Sequence, residues 1–206
     1  MVALNFQTVD EPLRINHGRF LQCGNDGYVP RPKSQFLIDG KIIPRDRKVF
    51  LKIRILGGTR LPKPAGVHSL GDFALNVKVT LFDVIIDRNG SRGISKSFKT
   101  SKAVRGNSLN PIWGDDFFEY VIERKSVAML SLEVHNNDDE SIVAHSSIPI
   151  SCLRNGFRSI KLFDNSNKSH GIIAFASILV QIEMYDYEKF RSKLDVLFVS
   201  QARNNF

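Results

Sequence analysis

From Val49 onward, short apolar or alternating runs recur about every 8–12 residues, the spacing of an all-β sandwich. The runs are Val49–Leu56, Ala74–Phe82, Ser95–Ser101, Phe117–Ile122, Met129–Val134, Ser146–Ile150, Ser159–Leu162 and Ile172–Met184. Gly57-Gly58, Asn89-Gly90, Asn110-Pro111 and Asn155-Gly156 separate them, each a place where the chain tolerates a positive or a proline-fixed φ. The expectation is a mainly β protein whose body is an eight-stranded antiparallel sandwich.

What precedes Val49 does not follow that pattern. Residues 1–8, MVALNFQT, and the stretch GYVPRP at 27–32 read as two short strands, which cannot make a core by themselves. The polar, Pro- and Gly-punctuated stretch from Lys33 to Lys48 reads as a linker. At the other end, Tyr187–Val199 places Phe190, Leu194, Leu197 and Phe198 at helical spacing and reads as a short amphipathic helix or a tail. The longest uncharged stretch, Ser169 to Ile182, falls short of the ~20 residues of a membrane-spanning helix and reads as a buried strand. Cys23 and Cys152 stand far apart in sequence with no metal-ligand cluster around either, so a reducing, intracellular compartment is expected.

The charge is unevenly distributed. A net charge of +8 and a pI of about 9.6 favour anionic partners. Residues 51–100 hold nine Lys or Arg against three Asp or Glu, while residues 101–150 hold four against eight. Arg88, Arg92, Lys96, Lys99, Lys102 and Arg105 are opposed only by Asp87, which makes this hairpin a candidate membrane-binding patch; a solvated hairpin is the alternative. Nucleic acid is disfavoured, because the acidic 101–150 segment would interrupt a phosphate track and the cations and aromatics form no RRM- or OB-like signature.

Six segments taken in order, MVALNFQT, LRINHGRF, GNDGYVPRP, LKIRILGGTRLPKP, SLNPIWGDDFFEYVI and SIPISCLRNGFRSIKL, resemble eukaryotic phosphoinositide-specific phospholipase C over about residues 1–185. The resemblance implies a terminal piece of the Y half of a TIM (β/α)8 barrel over residues 1–33. A linker would span 34–48, a C2 domain 49–186, and a tail or short helix 187–206. Pro30 departs from the family's usual leucine in its GYVLKP-like strand. The family's catalytic histidines and inositol-phosphate-binding residues belong to segments upstream of MVALNFQT, so no catalytic residue is carried over. The five histidines, His17, His68, His135, His145 and His170, form no nucleophile or metal motif and read as surface or turn residues.

C2 domains hold calcium between loops through several carboxylates, since a hard cation takes six to eight oxygens. By resemblance the candidate ligands are Leu70 through its carbonyl, Asp72, Asn107 or its neighbour Gly106, Asn136, Asn137 and Asp138, with Ser141 where an aspartate is usual. Asp115 and Asp116 read as structural, and Trp113 as a core or strand-edge anchor.

The resemblance therefore implies part of an enzyme that cleaves phosphatidylinositol 4,5-bisphosphate to diacylglycerol and inositol trisphosphate. This chain would supply the C2 membrane-docking module and the barrel edge. Its implied partners are an anionic phospholipid surface, the phosphoinositide substrate of the full enzyme and the catalytic barrel of the same or a longer chain, with calcium as cofactor. The expected location is cytoplasmic, peripheral to the inner face of the plasma membrane. The alternative is a standalone, non-catalytic C2 lipid or protein adaptor. The apolar run Val2–Phe6 has no sheet to bury it, so the expectation is a fragment of a longer phospholipase, with residues 45–186 alone more soluble than the whole chain.

Overall fold

The computed structural model describes residues 4–25, 27–30, 37–38, 41–42, 48–67, 73–86, 92–107, 109–114 and 117–191. It opens with a helix, α1 (Glu11–Leu21), followed by a two-stranded pair, β1 (Leu37–Ile38) and β2 (Lys41–Ile42). Then come β3 (Val49–Thr59), β4 (Ala74–Ile86), β5 (Arg92–Thr100), β6 (Val104–Arg105), β7 (Phe118–Ile122), β8 (Met129–Asn136), β9 (Ile142–Pro149), β10 (Gly156–Lys161) and β11 (Ser177–Asp186).

Two antiparallel sheets make the sandwich. One has the order β10-β11-β3-β7; the other has β5-β4-β8-β9, with the short β6 beside β4. Alternation decides which side chains meet between them. Leu51, Ile53 and Ile55 of β3 and Ile178, Val180 and Ile182 of β11 face Leu75, Val77 and Val79 of β4 and Leu130, Leu132 and Val134 of β8, all fully buried. Trp113 closes one end, buried with its indole N–H donating to the Leu75 carbonyl at 3.1 Å. It is the core anchor expected of the only tryptophan.

The eight expected strands are present, with shifted ends. The run at Ser146 begins earlier, at Ile142, because the chain turns back directly after Asn136. The run at Ser159 begins at Gly156, whose φ of +100° is the left-handed conformation that glycine supplies. Residues Gly171–Phe175 form a 3-10 turn before β11 rather than the start of it. Helical structure covers 187–191 of the expected terminal helix, and the remainder lies outside the described residues.

The two N-terminal strands are not there among the described residues. Leu4–Thr8 contains a turn that leaves Phe6 exposed, and 27–30 is irregular with Tyr28 exposed. Helix α1 stands between them instead. Asp10 caps it, its Oδ1 accepting from the Leu13 N–H at 3.0 Å, with Glu11 and Pro12 in the first turn and Arg19 in the last.

This helix lies on the outer face of β8 and β9, which explains a departure from simple alternation. Met129, Ser131 and Glu133 of β8 and His145 and Ser147 of β9 point away from the core, yet all are buried. Gly18 makes the close fit possible, since a Cβ there would overlap the Ser147 carbonyl. Arg14 pairs with Glu133 at 2.9 Å, and both guanidinium Nη atoms of Arg19 reach the Ser126 carbonyl at 3.3 Å. A polar, glycine-notched helix thus fastens residues 11–21 to the sandwich; of the apolar run Val2–Phe6, residues 2 and 3 lie outside the described residues and Phe6 is exposed. His145 is no surface histidine but is 1% exposed in the middle of a strand.

Candidate functional site

The register places several connections at one end of the sandwich. Leu75 at the start of β4 pairs with Asn136 at the end of β8, Ala74 pairs with Arg105, and Ser177 pairs with Thr59 at the end of β3. The loops after β3, β6 and β8 therefore share an end with the 3-10 turn before β11. This is where the candidate calcium ligands belong. Leu70 and Asp72 lie outside the described residues, as do His68, Asp115 and Asp116.

Three of the described ligand candidates, Asn136, Asn137 and Asp138, already hold hydrogen bonds or an ion pair. Asn136 is buried, its Oδ1 accepting from the Asp138 N–H at 3.4 Å. Asn137 donates its N–H to the Ala74 carbonyl at 2.8 Å, and its Oδ1 accepts from Asn76 Nδ2 at 3.1 Å. Asp138 forms an ion pair with Arg105 at 2.6 Å. Asp139 accepts from both the hydroxyl and the N–H of Ser141, at 2.6 and 2.9 Å, and these bonds hold its carboxyl below the usual range. Asn107 is exposed beside Gly106, whose φ is +98°. Among the described residues no three His, Cys, Asp or Glu side chains come together as a metal site. One ion-paired carboxylate and two amides that already hold hydrogen bonds do not fit the charge that calcium requires.

The described basic candidates do not share one surface. Arg88 and the side chain of Arg92 lie outside what is described. Alternation along β5 sends Lys96 to the face that carries Ile94 and Phe98, where it lies over the Phe82 ring and pairs with Glu11 of α1 at 2.5 Å. Lys99, on the opposite face, lies over the Tyr120 ring. Lys102 is exposed in the following connection, and Arg105 is committed to Asp138.

Two exposed apolar side chains at the loop end escaped the sequence reading. Ile112 is 76% exposed and bridges to Gly57, and Phe175 is 70% exposed with the Arg60 guanidinium 5.3 Å from its ring centre. Their signal was available: Ile112 sits in SLNPIW between two turn residues and the buried Trp113, where strand burial cannot claim it.

A row of polar contacts links α1 to this end. Arg14 pairs with Glu133, whose Oε2 meets His135 Nε2 at 3.1 Å, and His135 Nδ1 meets the Glu140 carbonyl at 3.1 Å. Burial would push the Glu133 carboxyl up, but the His135 hydrogen bond and the Arg14 charge outweigh it and hold it at about 2. Burial pulls the neighbouring His145 imidazole down to about 4, and the Arg14 charge pulls the same way. His145 Nε2 faces the Asp164 carbonyl at 2.9 Å, so that nitrogen carries the proton.

Two family models match the sequence: one described as phosphatidylinositol-specific phospholipase C, Y domain, over residues 1–34, and one described as C2 domain over residues 50–170. The chain is 32% identical over 193 residues to the human 1-phosphatidylinositol 4,5-bisphosphate phosphodiesterase gamma-2, covering 89% of this chain and 14% of that protein. It is 28% identical over 179 residues to the zeta-1 phosphodiesterase of Sus scrofa, covering 82% and 26%. It is also 33% identical over 173 residues to the human inactive phospholipase C-like protein 1, covering 79% and 15%. The crystal structure of L. pealei PLC21 shares its fold, with a TM-score of 0.67 at 22% identity over 91% of this chain and 23% of that one. The chain thus spans between 14% and 26% of the length of these curated relatives.

Proposed function

Since this chain belongs to the C2 domain family and carries the end of a phosphatidylinositol-specific phospholipase C Y domain ahead of it, we propose that it is the membrane-docking part of a phosphoinositide phospholipase C. Residues 1–33 are the barrel edge, 34–48 the connection, 49–186 the C2 domain and 187–206 the tail. The complete enzyme hydrolyses phosphatidylinositol 4,5-bisphosphate to diacylglycerol and inositol trisphosphate at the inner face of the plasma membrane. This chain orients that reaction on an anionic bilayer and supplies none of its acid–base groups.

The observation that carries this reading is the buried Arg14–Glu133 pair between α1 and the sandwich. A charge pair taken out of water requires both partners, so the C2 face is built to receive the Y-domain helix. Docking is assigned to charge and to the apolar loop tips. Lys99 and Lys102 draw the loop end toward anionic headgroups, and Ile112 and Phe175 meet the bilayer there. Calcium is the cofactor that family membership suggests, but the described donors do not form its site, and no step is derived through it. A non-catalytic adaptor is the second reading, favoured by the 33% identity to a relative named as inactive.

The test is immunoprecipitation from source cells with an antibody against residues 45–186. The expected result is a polypeptide several times larger than 23.3 kDa that hydrolyses phosphatidylinositol 4,5-bisphosphate. A polypeptide near 23.3 kDa without that activity overturns the enzyme reading in favour of the adaptor.

A further inference from the structure

Strands β9 and β10 are edges of the two sheets, bridged between His145 and Phe163, and beside that bridge the C-terminal turn of α1 borders an open cavity of about 440 Å³. That volume is within the range of small-molecule sites. Leu21, Ile148, Leu153, Ile160 and Phe163 give it apolar walls. Arg154, Arg158 and Lys161 also line it, and the lining contains no carboxylate.

Along the edge strand β10, Arg158 is on the face of the buried Ile160 and Lys161 on the opposite face, so the two reach the groove from either side of the strand. The Arg158 guanidinium is held in position by donating through Nη1 to the Phe157 carbonyl at 2.8 Å and through Nη2 to the Asn155 carbonyl. Those bonds occupy two of its five donors and leave the rest. Arg154 and Lys161 have no carboxylate partner among the described residues. The helix end that would repel an anion is quenched. The Phe20 carbonyl accepts from the N–H groups of Cys23 and Asn25, and the Leu21 carbonyl accepts from that of Gly24. The hydroxyls of Ser146 and Ser159 add neutral donors to the wall.

We propose that this cavity binds an anionic amphiphile, a phosphate monoester on a single apolar chain. Arg154, Arg158 and Lys161 hold the phosphate, and the chain lies along Leu21, Ile148 and Phe163. A monoester carries between one and two negative charges near neutral pH and accepts forked hydrogen bonds from a guanidinium, which matches three cations better than a single carboxylate would. The site lies between the N-terminal helix and the C2 edge. It uses only residues of this chain, so it stands or falls independently of the enzymatic reading.

Cys152 lines the cavity and is exposed, while Cys23 lies outside the lining, so a Cys23→Ser chain reports occupancy through the alkylation rate of Cys152. Decyl phosphate below its micelle concentration is expected to slow that rate at least about five-fold, saturably. Inorganic phosphate and the uncharged decyl maltoside at the same concentration are expected to change it less than about two-fold. Protection should vanish in Arg154→Glu/Lys161→Glu, both exposed positions. Calorimetric titration of decyl phosphate into the unaltered chain should give saturable one-to-one binding. No protection by decyl phosphate, equal protection by either control, protection that survives the double substitution, or an absent titration signal would each overturn the proposal.

Discussion

Glu133 and His145 are direct cross-strand partners on β8 and β9, and both meet acid badly. The native Glu133 carboxyl titrates at about 2 against an ordinary 4.5, so its contribution is complete above 4.5 and lost as pH falls toward 2. The native His145 imidazole takes its proton at about 4, whereas the unfolded chain takes it at 6.5. Its contribution is therefore complete above 6.5 and lost between 6.5 and 4. The two slopes share a sign, and stability should fall continuously on acidification, as urea midpoints at successive pH values would record. His145→Gln should flatten the upper part of that profile and leave the lower part in place. Glu133→Gln strands the Arg14 guanidinium and should cost about 3 kcal/mol in urea unfolding at pH 7. At the loop end, Arg105→Ala releases the Asp138 carboxylate, and calorimetry should then detect tighter calcium binding than in the unaltered chain.

At the scale of elements, the strands were legible and the helix was not, for one reason. Strand burial in β3, β4 and β11 follows period 2, so the sequence shows which residues face the core. Helix α1, EPLRINHGRFL, docks with Leu13, Arg14 and Gly18, and a buried arginine and glycine leave no apolar stripe at period 3.6. Only its start was written plainly, in Asp10 followed by Glu11 and Pro12. The same helix buries the polar Ser131, Glu133, His145 and Ser147 of β8 and β9, and His145 read as a surface or turn residue because its cover could not be seen. The candidate loop was legible as a position but not as a set of contacts: HNNDDES does not reveal that Asp138 answers to Arg105, 33 residues earlier. Gly18→Leu should drive α1 off β9, and limited proteolysis should then cut the first 25 residues at least ten-fold faster while the sandwich persists. Residues 49–186 alone should be less stable than the whole chain, because Glu133 and His145 lose their cover; an unchanged melting temperature would contradict this.

For the whole molecule, the +8 charge matters less than where it is already spent. Lys96 is held by Glu11 and Arg105 by Asp138, which leaves Lys99 and Lys102 as the described cations of the hairpin without a carboxylate partner. Replacing both by Ala should weaken binding to phosphatidylserine vesicles by about 2 kcal/mol, roughly 30-fold, because a cation near an anionic leaflet is worth about 1 kcal/mol. The loss should shrink as salt is raised, which co-sedimentation at two ionic strengths would measure. The Gly18 notch adds a mechanical consequence. With backbone pressed against backbone at Ser147, helix and sheet have no side-chain cushion across which to slide. The joint is a weld rather than a hinge, and whatever tilt the sandwich takes on a surface is the tilt inherited by everything attached to α1.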